Sequence, residues 1–427
     1  MLETIKNAWK VADLRKKILF TLFIILIFRI GSVIPVPFID PVALGKTMSE
    51  SNIFGSYFST FTGGALQYGA IFAMGVTPYI NSSIIMQLLT VAIPYYERIS
   101  KEGEEGRKII AKHTRVATVI LGIIQGLAFY IYLNRSNLLK ISGTFAEWFA
   151  GFVIVLTLAA GSALVMWLGE QIDEKGIGNG ISILLFAGIL SRFPDAVGQL
   201  IAWWQAGEPI ATVLIVVVFL LVIAFIVWMT NAERRLPVQY AKRVVGRKMY
   251  GGQNTHIPIK VNMSGVMPII FASSILMIPT MVLSFWNPKE PNWFYKILSM
   301  FSTQGVFYAV LYFAMIIAFA YFYVTIQYNP VEMANNLRKN SGSIPGIRPG
   351  QSTADFIKRV LSRITLIGAI CLSVVAVGPI LFGLFSPAFA NISIGGTSVL
   401  IVVGVALEIV NNLESQMMMR HYKGFLD

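Results

Sequence analysis

Two nine-residue stretches carry most of the information about the fold: GVTPYINSS at residues 75–83 and GVMPIIFAS at residues 265–273. They share the pattern G-V-x-P-x-I-x-x-S at an offset of 190 residues. Each opens a long apolar segment, and self-similarity at a fixed offset is typical of an internal repeat. Because these residue types are common in apolar helices, a chance match is the alternative. The place of the two stretches in the rest of the chain decides between the two explanations.

The composition is that of a membrane protein. Of the 427 residues, 56% are hydrophobic and 13% are charged, whereas an ordinary soluble domain is roughly 45–50% apolar and 25% charged. Such a chain has too little polar surface to coat a globule, which argues against a soluble enzyme and against a disordered chain. With one cysteine and three histidines, we expect no disulfide framework, no metal site and no cofactor.

Ten apolar segments are candidates for membrane-crossing helices, because about 17–25 residues span the hydrocarbon of a bilayer. They are residues 18–34, 70–93, 116–133, 148–168, 176–190, 210–230, 265–286, 305–328, 364–385 and 395–413. The fifth is short, and a re-entrant segment is the alternative for it.

The distribution of positive charge orients the segments and decides how the fifth is interpreted. With ten spans and the N-terminus inside, 27 of the 34 Lys and Arg residues lie in cytoplasmic segments, 6 lie in outer loops and Arg29 lies in the first span. Without the fifth span the numbers become 15 inside and 18 outside. Since Lys and Arg accumulate in cytoplasmic loops, the sequence predicts that the fifth segment crosses and that both termini are cytoplasmic.

In this topology the two stretches open the second span of each five-span half, one from the outer face and one from the inner face. That is the arrangement of an inverted repeat. The predicted fold is an all-α polytopic membrane protein with ten transmembrane helices. The helices form two inverted five-helix halves, residues 1–195 and 196–427, around a central hourglass pore.

The spans contain few charged residues, which limits what such a path could conduct. Arg29, Glu170 and Glu408 lie near span ends, and no Asp, Glu, Lys or His lies mid-span. A proton relay or ion-coupling site therefore has no obvious residues. The repeat places the aliphatic Val76, Ile80 and Ile270 on helices that we expect to line the path, where a narrow apolar constriction excludes ions by dewetting. Plain lipid-facing or packing positions are the alternative.

Polar side chains follow these aliphatic residues on both helices. They are Asn81, Ser82, Ser83 and Gln87 on span two and Ser273 and Ser274 on span seven. Interhelical hydrogen bonds in membranes average ~0.6 kcal/mol, so a seam built from them can hold two helices together and still open. Ordinary helix packing is the alternative.

An outer segment and two inner loops complete the pattern. Residues 52–69 are aromatic, nearly uncharged and too short to cross, so they tuck into an outer cavity or lie as an interfacial helix. The basic loops around residues 239–248 and 344–350 are rich in Gly and Pro and suggest a platform for an acidic partner. Positive-inside bias alone also explains their charge. No nucleophile–base pair is present, and we expect no catalysis.

These residues together resemble the SecY family, the central subunits of the bacterial protein-conducting channel, over nearly the whole chain. The resemblance is carried by FRIGSVIP at residues 28–35, GGAL at 63–66, residues 75–87, WLGEQI at 167–172, residues 176–183, NTHIP at 254–258, residues 345–350 and GGTS at 395–398.

The resemblance implies roles for particular residues. The pore ring maps onto Val76, Ile80, Leu185, Ile270 and Ile401, where Val76 and Leu185 replace the family's usual isoleucine. The plug falls on about residues 56–67, with Ser56, Tyr57, Phe58, Phe61, Gly63, Gly64 and Leu66. The lateral gate comprises spans two and three facing seven and eight, with Asn81, Ser82, Ser83, Gln87, Ser273, Ser274 and Ile278. Docking of a motor or ribosome maps onto Arg243, Arg247, Lys248 and Arg348.

The resemblance also implies partners and a mechanism. The partners are SecE and SecG, the SecA motor ATPase, the ribosome, signal peptides, unfolded preproteins and membrane lipids. The chain would translocate unfolded secretory polypeptides across the cytoplasmic membrane and release transmembrane segments sideways into it. The rival is a secondary transporter of a small solute, which would need a compact polar site at mid-depth. An intramembrane enzyme would need a catalytic dyad.

Overall fold

The structure is a computed structural model. It describes residues 2–50, 62–141, 143–207, 209–240, 243–245, 248–250, 254–285, 293, 295, 298, 300–301, 305–385 and 396–423. Within these ranges the helices are α1 (Leu2–Lys10), α2 (Ala12–Gly31), α3 (Pro41–Glu50), α4 (Thr77–Ala92), α5 (Pro94–Lys101), α6 (Glu104–Arg135), α7 (Thr144–Lys175), α8 (Gly180–Leu190), α9 (Phe193–Gln205), α10 (Pro209–Asn231), α11 (Met267–Phe285), α12 (Val306–Gln327), α13 (Pro330–Lys339), α14 (Gln351–Phe385) and α15 (Gly396–Lys423).

Each of the ten predicted spans coincides with a helix, namely α2, α4, α6, α7, α8, α10, α11, α12, α14 and α15. By length and composition alone, seven helices of the described chain are apolar and long enough to cross a membrane. The remaining spans are short or charged for a physical reason: α4 has only 16 residues because a turn segment precedes it, and α2 begins in the basic N-terminal stretch.

The ten helices form two groups of five. In the first group α6 packs on α4 and α7, and α7 packs on α2 and α8. In the second group α14 contacts α10, α11, α12 and α15. The groups meet along two seams, one where α11 contacts α4 and α6 and one where α15 contacts α8. The largest buried apolar cluster lies between the groups and includes residues from both. The predicted boundary at residues 195 and 196 falls inside α9.

Short strands outside the membrane helices were not predicted from the sequence. Strand β1 (Glu233–Tyr240) pairs with β4 (Asn254–Lys260) and with β5 (Gly342–Ser343), all antiparallel, in the order β4-β1-β5. Strands β2 (Arg243–Val245) and β3 (Lys248–Tyr250) form a separate hairpin. The three-stranded sheet thus joins the two long basic loops. It shares an apolar core with α13 and the start of α14, which makes the two loops one packed unit.

Candidate functional site

The repeated stretches fold in the same way at the start of α4 and α11. Gly75 and Gly265 both have positive φ, of 53° and 61°, and each helix carries its proline at the second position. One turn later the Ile80 amide donates to the Val76 carbonyl at 3.0 Å, and the Ile270 amide donates to the Val266 carbonyl at 3.2 Å. The repeat therefore places Ile80 and Ile270 at equivalent positions in the two groups of helices.

All five predicted ring residues are buried in one apolar cluster. Val76 and Ile80 lie at the start of α4, Leu185 lies on α8, Ile270 lies on α11 and Ile401 lies on α15. These four helices are those that form the two seams between the groups. The ring residues therefore converge where the two halves of the molecule meet.

A narrow cavity lies at this convergence. It is lined by the aliphatic Ile80, Leu185 and Ile270 together with Thr77, Ser273, Ser274 and Met277. The centre of a water molecule can occupy only about 10 Å³ of it, which is about the space one water needs. In this structure the space between these side chains therefore holds little more than one water molecule.

The sequence did not single out two of the residues that line this cavity. Thr77 follows a predicted ring residue directly, and Met277 lies one residue from the predicted gate residue Ile278. A third buried polar residue, Gln125 on α6, has a side-chain oxygen without a hydrogen-bond partner within the described chain. In the sequence, the feature that could have drawn attention to Gln125 is its polar side chain within an otherwise apolar span.

The predicted gate residues lie on α4 and α11, two helices that contact each other. Ser82 donates to the Pro78 carbonyl at 2.9 Å and Ser273 donates to the Ile270 carbonyl at 2.9 Å, each within its own helix. Asn81, Ser83 and Gln87 are half-buried, Ser274 is buried and Ile278 is exposed. The hydroxyls of Ser82 and Ser273 therefore do not form a hydrogen bond between the two helices.

The described end of the predicted plug is buried in the protein. Gly63, Gly64 and Leu66 are buried, and Leu66 lies in an apolar cluster with Met74, which follows the plug in the chain. Met277, which lines the cavity, packs against that cluster. Ser56, Tyr57, Phe58 and Phe61 lie outside the described residues.

The predicted docking residues lie on the inner loops. Arg243 and Lys248 belong to β2 and β3, and Arg247 lies outside the described residues. Arg348 is exposed on a turn whose backbone is held by the Thr353 hydroxyl, which donates to the Arg348 carbonyl at 2.9 Å. The turn is anchored by Ile344, which is buried in the core beneath the sheet. The protein therefore presents Arg348 on a fixed backbone.

Charged chemistry is sparse around the cavity. The described residues contain no group of three His, Cys, Asp or Glu residues that could hold a metal ion. The ion pair nearest to the spans joins Arg115 of α6 and Glu170 of α7 at 2.7 Å and links two neighbouring helices of one group. The site offers a molecule in transit aliphatic surface and hydroxyl groups.

Known proteins are similar in sequence to this chain over its whole length. The SecY family model matches residues 70–410. The SecY translocase subunit of Streptomyces scabiei is 43% identical over 442 aligned residues, covering 100% of both chains. That of Bacillus subtilis is 43% identical over 436 aligned residues, again covering 100% of both. The SecY subunit of Thermotoga maritima is 41% identical and is covered to 98%.

Solved structures share the fold. A structure described as that of a protein-conducting channel superposes with a TM-score of 0.66 at 17% identity, covering 94% of this chain and 92% of the other. Sec61 from a canine ribosome–channel complex gives a TM-score of 0.62 with the same identity and coverage. Taken with the full-length relatives, the ten helices and the closed aliphatic constriction, this shows that the chain belongs to the SecY family and is a protein-conducting channel subunit of the translocase, not an enzyme.

Proposed function

We propose that an unfolded polypeptide crosses the membrane through the ring formed by Val76, Ile80, Leu185, Ile270 and Ile401. The observation that carries this proposal is the narrow cavity where Ile80, Leu185 and Ile270 meet. Aliphatic walls exclude ions by dewetting when nothing is inside. They offer no fixed hydrogen-bond partner, so side chains of any kind pass with similar ease. The plug, residues 56–67, closes the outer side of the ring at rest.

We propose a second exit between α4 and α6 on one side and α11 and α12 on the other. In lipid, Leu, Ile, Phe and Val are favoured by about 0.3–0.6 kcal/mol each at the centre of a membrane helix. A sufficiently apolar segment therefore partitions sideways once the seam opens. The support is that α11 contacts α4 and α6, and that the hydroxyls of Ser82 and Ser273 bond within their own helices. Separating these helices breaks few polar contacts.

The sequence contains no P-loop motif for a nucleotide, so we propose that a partner supplies directed movement. We propose that the inner platform, with Arg243, Arg247, Lys248 and Arg348, binds the SecA motor and the ribosome. SecE and SecG are the proposed companion subunits. We further propose that the molecule lies in the bacterial cytoplasmic membrane with both termini inside, and that residues 1–195 and 196–427 form its two halves. Support comes from the positive charge of the inner loops.

Crosslinking from a stalled secretory chain tests the path. Cysteines are introduced as Ile80→Cys and Ile401→Cys in a Cys371→Ala background, which removes the one native thiol. Ile85→Cys, on the exposed face of α4, is the matched control. We expect the stalled chain to label the two ring positions and not the control. Labelling of the control alone, or of none of the three, would contradict the proposed path and reopen the solute-transporter alternative.

A further inference from the structure

Arg29 is exceptional among the basic residues of this protein. Of the 34 Lys and Arg residues, it alone lies inside one of the ten predicted spans. A charged residue within a span is costly and is by default a candidate for a functional role. No carboxylate in the described part of the chain forms an ion pair with it. Its partners are neutral groups, and they come from two other parts of the chain.

The guanidinium of Arg29 joins three separate segments. Its Nη1 donates to the Gly63 carbonyl in the plug at 2.9 Å and to the Ser191 hydroxyl, at the end of α8, at 3.0 Å. The Ser191 hydroxyl has a single proton, and its acceptors are the Gly188 carbonyl at 2.7 Å and the Gly63 carbonyl at 3.3 Å. Its lone pair is therefore turned to Arg29. One side chain of α2 thus fixes the plug to α8.

The plug backbone at Gly63 lies close to the backbone of α8 at Gly188. Gly63 has a φ of 63°, which favours glycine. A Cβ built at Gly63 would lie 2.9 Å from both the Cα and the carbonyl oxygen of Gly188. The carbonyl that Arg29 binds is therefore held against helix backbone rather than against a deformable side chain. This geometry defines one position of the plug.

The other end of the segment is attached differently. The Val36 amide donates to the Gly69 carbonyl at 2.8 Å, and the Ile71 amide donates to the Ile34 carbonyl at 3.0 Å. The Phe72 ring stacks on Phe28 with centroids 5.9 Å apart. Backbone pairing and buried rings thus fasten residues 69–72 to the end of α2. At Gly63 the segment is held by the hydrogen bond from Arg29 together with the packing of the neighbouring Thr62 against Gly75.

We propose that Arg29 is a positioning residue that latches the plug at Gly63, and that release of this latch is a step in opening the channel. The inference rests on the proposed function of the plug. A hydrogen bond from a charged donor is strong enough to shift a local equilibrium by roughly tenfold to a hundredfold. Its loss frees Gly63 while residues 69–72 stay attached, so the plug departs from one end.

The test measures how often the plug leaves its place. Leu66→Cys, on the plug and 1% exposed, is introduced in the Cys371→Ala background. The labelling rate by a membrane-impermeant maleimide is then measured in proteoliposomes. We expect Arg29→Gln to raise the rate roughly tenfold to a hundredfold, and Ser191→Ala to raise it less because Arg29 still reaches Gly63. Arg29→Lys keeps a charged donor and should restore much of the protection.

Two controls separate a latch from a general effect on the fold. Lys46→Gln removes a positive charge from an exposed position on α3 and should leave the Leu66→Cys rate unchanged. In the chain with its native thiol, Arg29→Gln should leave labelling of Cys371 unchanged. An unchanged Leu66→Cys rate in Arg29→Gln would overturn the latch, as would a parallel rise at Cys371. If Arg29→Gln does not accumulate, Ser191→Ala gives the decision, and an unchanged Leu66→Cys rate in that variant overturns the latch.

The two proposals can fail separately. Crosslinking of a stalled chain to Ile80→Cys and Ile401→Cys does not depend on Arg29. If the ring positions are labelled but Arg29→Gln leaves the labelling rate of Leu66→Cys unchanged, the proposed path through the ring stands and only the latch is refuted. If the stalled chain does not label the ring positions, the proposed path through the ring is refuted, whatever the result for Arg29.

Discussion

Ile80 and Ile270 are aliphatic residues at equivalent positions of α4 and α11. Each lies one turn into its helix, each amide bonds to the valine carbonyl four residues earlier, and both line the narrow cavity. Neither side chain has a polar atom or a charge. Their effect on permeation therefore comes from the water that they exclude, and it should be sensitive to polarity far more than to shape.

The double variant Ile80→Asn with Ile270→Asn tests this at the residue scale. Two amides in a constriction of this size hydrate it, so we expect the resting channel to leak ions in a planar bilayer. The matched double variant is Ile85→Asn with Val310→Asn, which changes two exposed positions on α4 and α12. Unchanged conductance in the cavity variant, with both proteins correctly inserted, would contradict the proposed ring.

Among the elements, α4 and α11 show what the sequence could predict and what it could not. The shared pattern indicated that the two helices are related, and both begin at the residue before the shared proline. The residue pattern did not reveal that α4 has only 16 residues. Residues 70–76 are apolar enough to look helical, but Gly69 and Gly75 adopt positive φ and break the run into turns.

The glycine that precedes each helix gives a prediction at this scale. Alanine at Gly75 or Gly265 must adopt a left-handed backbone, which costs about 1–2 kcal/mol. We expect both variants to lower the thermal unfolding midpoint in detergent. The two losses should be similar, because the new Cβ would lie at an ordinary contact distance of 3.4 Å from the Thr62 side chain at Gly75 and in open space at Gly265. Gly198→Ala, inside α9 with open space, should be neutral or stabilising. A lower midpoint for Gly198→Ala alone would contradict this reasoning.

The strands show a second limit of sequence reasoning. The long inner loops were expected to be structured, yet β1 pairs both with β4 in its own loop and with β5 about a hundred residues away, as Gln239 does with Ser343. Single-chain periodicity does not report such pairings, because only the folded chain brings the two loops together. The helices were easier to predict since each hydrogen-bonds within itself and must be apolar to lie in lipid.

For the whole molecule, the packed platform presents Arg348 on a turn fixed by Thr353 and Ile344. A partner that binds this turn meets a charge whose position is set in advance, which lowers the ordering cost of binding. The sequence and the family resemblance pointed to Arg348, but not to the sheet that supports it.

Arg348→Glu should therefore weaken motor-driven export. Placing like charges together opposes an acidic partner surface and should cost roughly tenfold or more in affinity. Export driven by SecA into inverted membrane vesicles and SecA binding to the same vesicles are the measurements. Lys358→Glu, an equal change of charge at an exposed position on α14, is the control. Normal binding and export by Arg348→Glu would refute the docking role.

The short α4 has a consequence for the molecule in its bilayer. Sixteen residues reach about 24 Å at 1.5 Å per residue, less than the hydrocarbon thickness of about 30 Å. Turns cover the remaining depth, and their backbone is tolerated there only within protein or water. When the plug leaves its place beside these turns, bulk solvent advances towards the bilayer midplane. The membrane voltage then falls mainly across the ring of aliphatic side chains, which is roughly one side chain thick. Nearly the whole voltage therefore acts on whichever residue of the translocating chain lies in the ring.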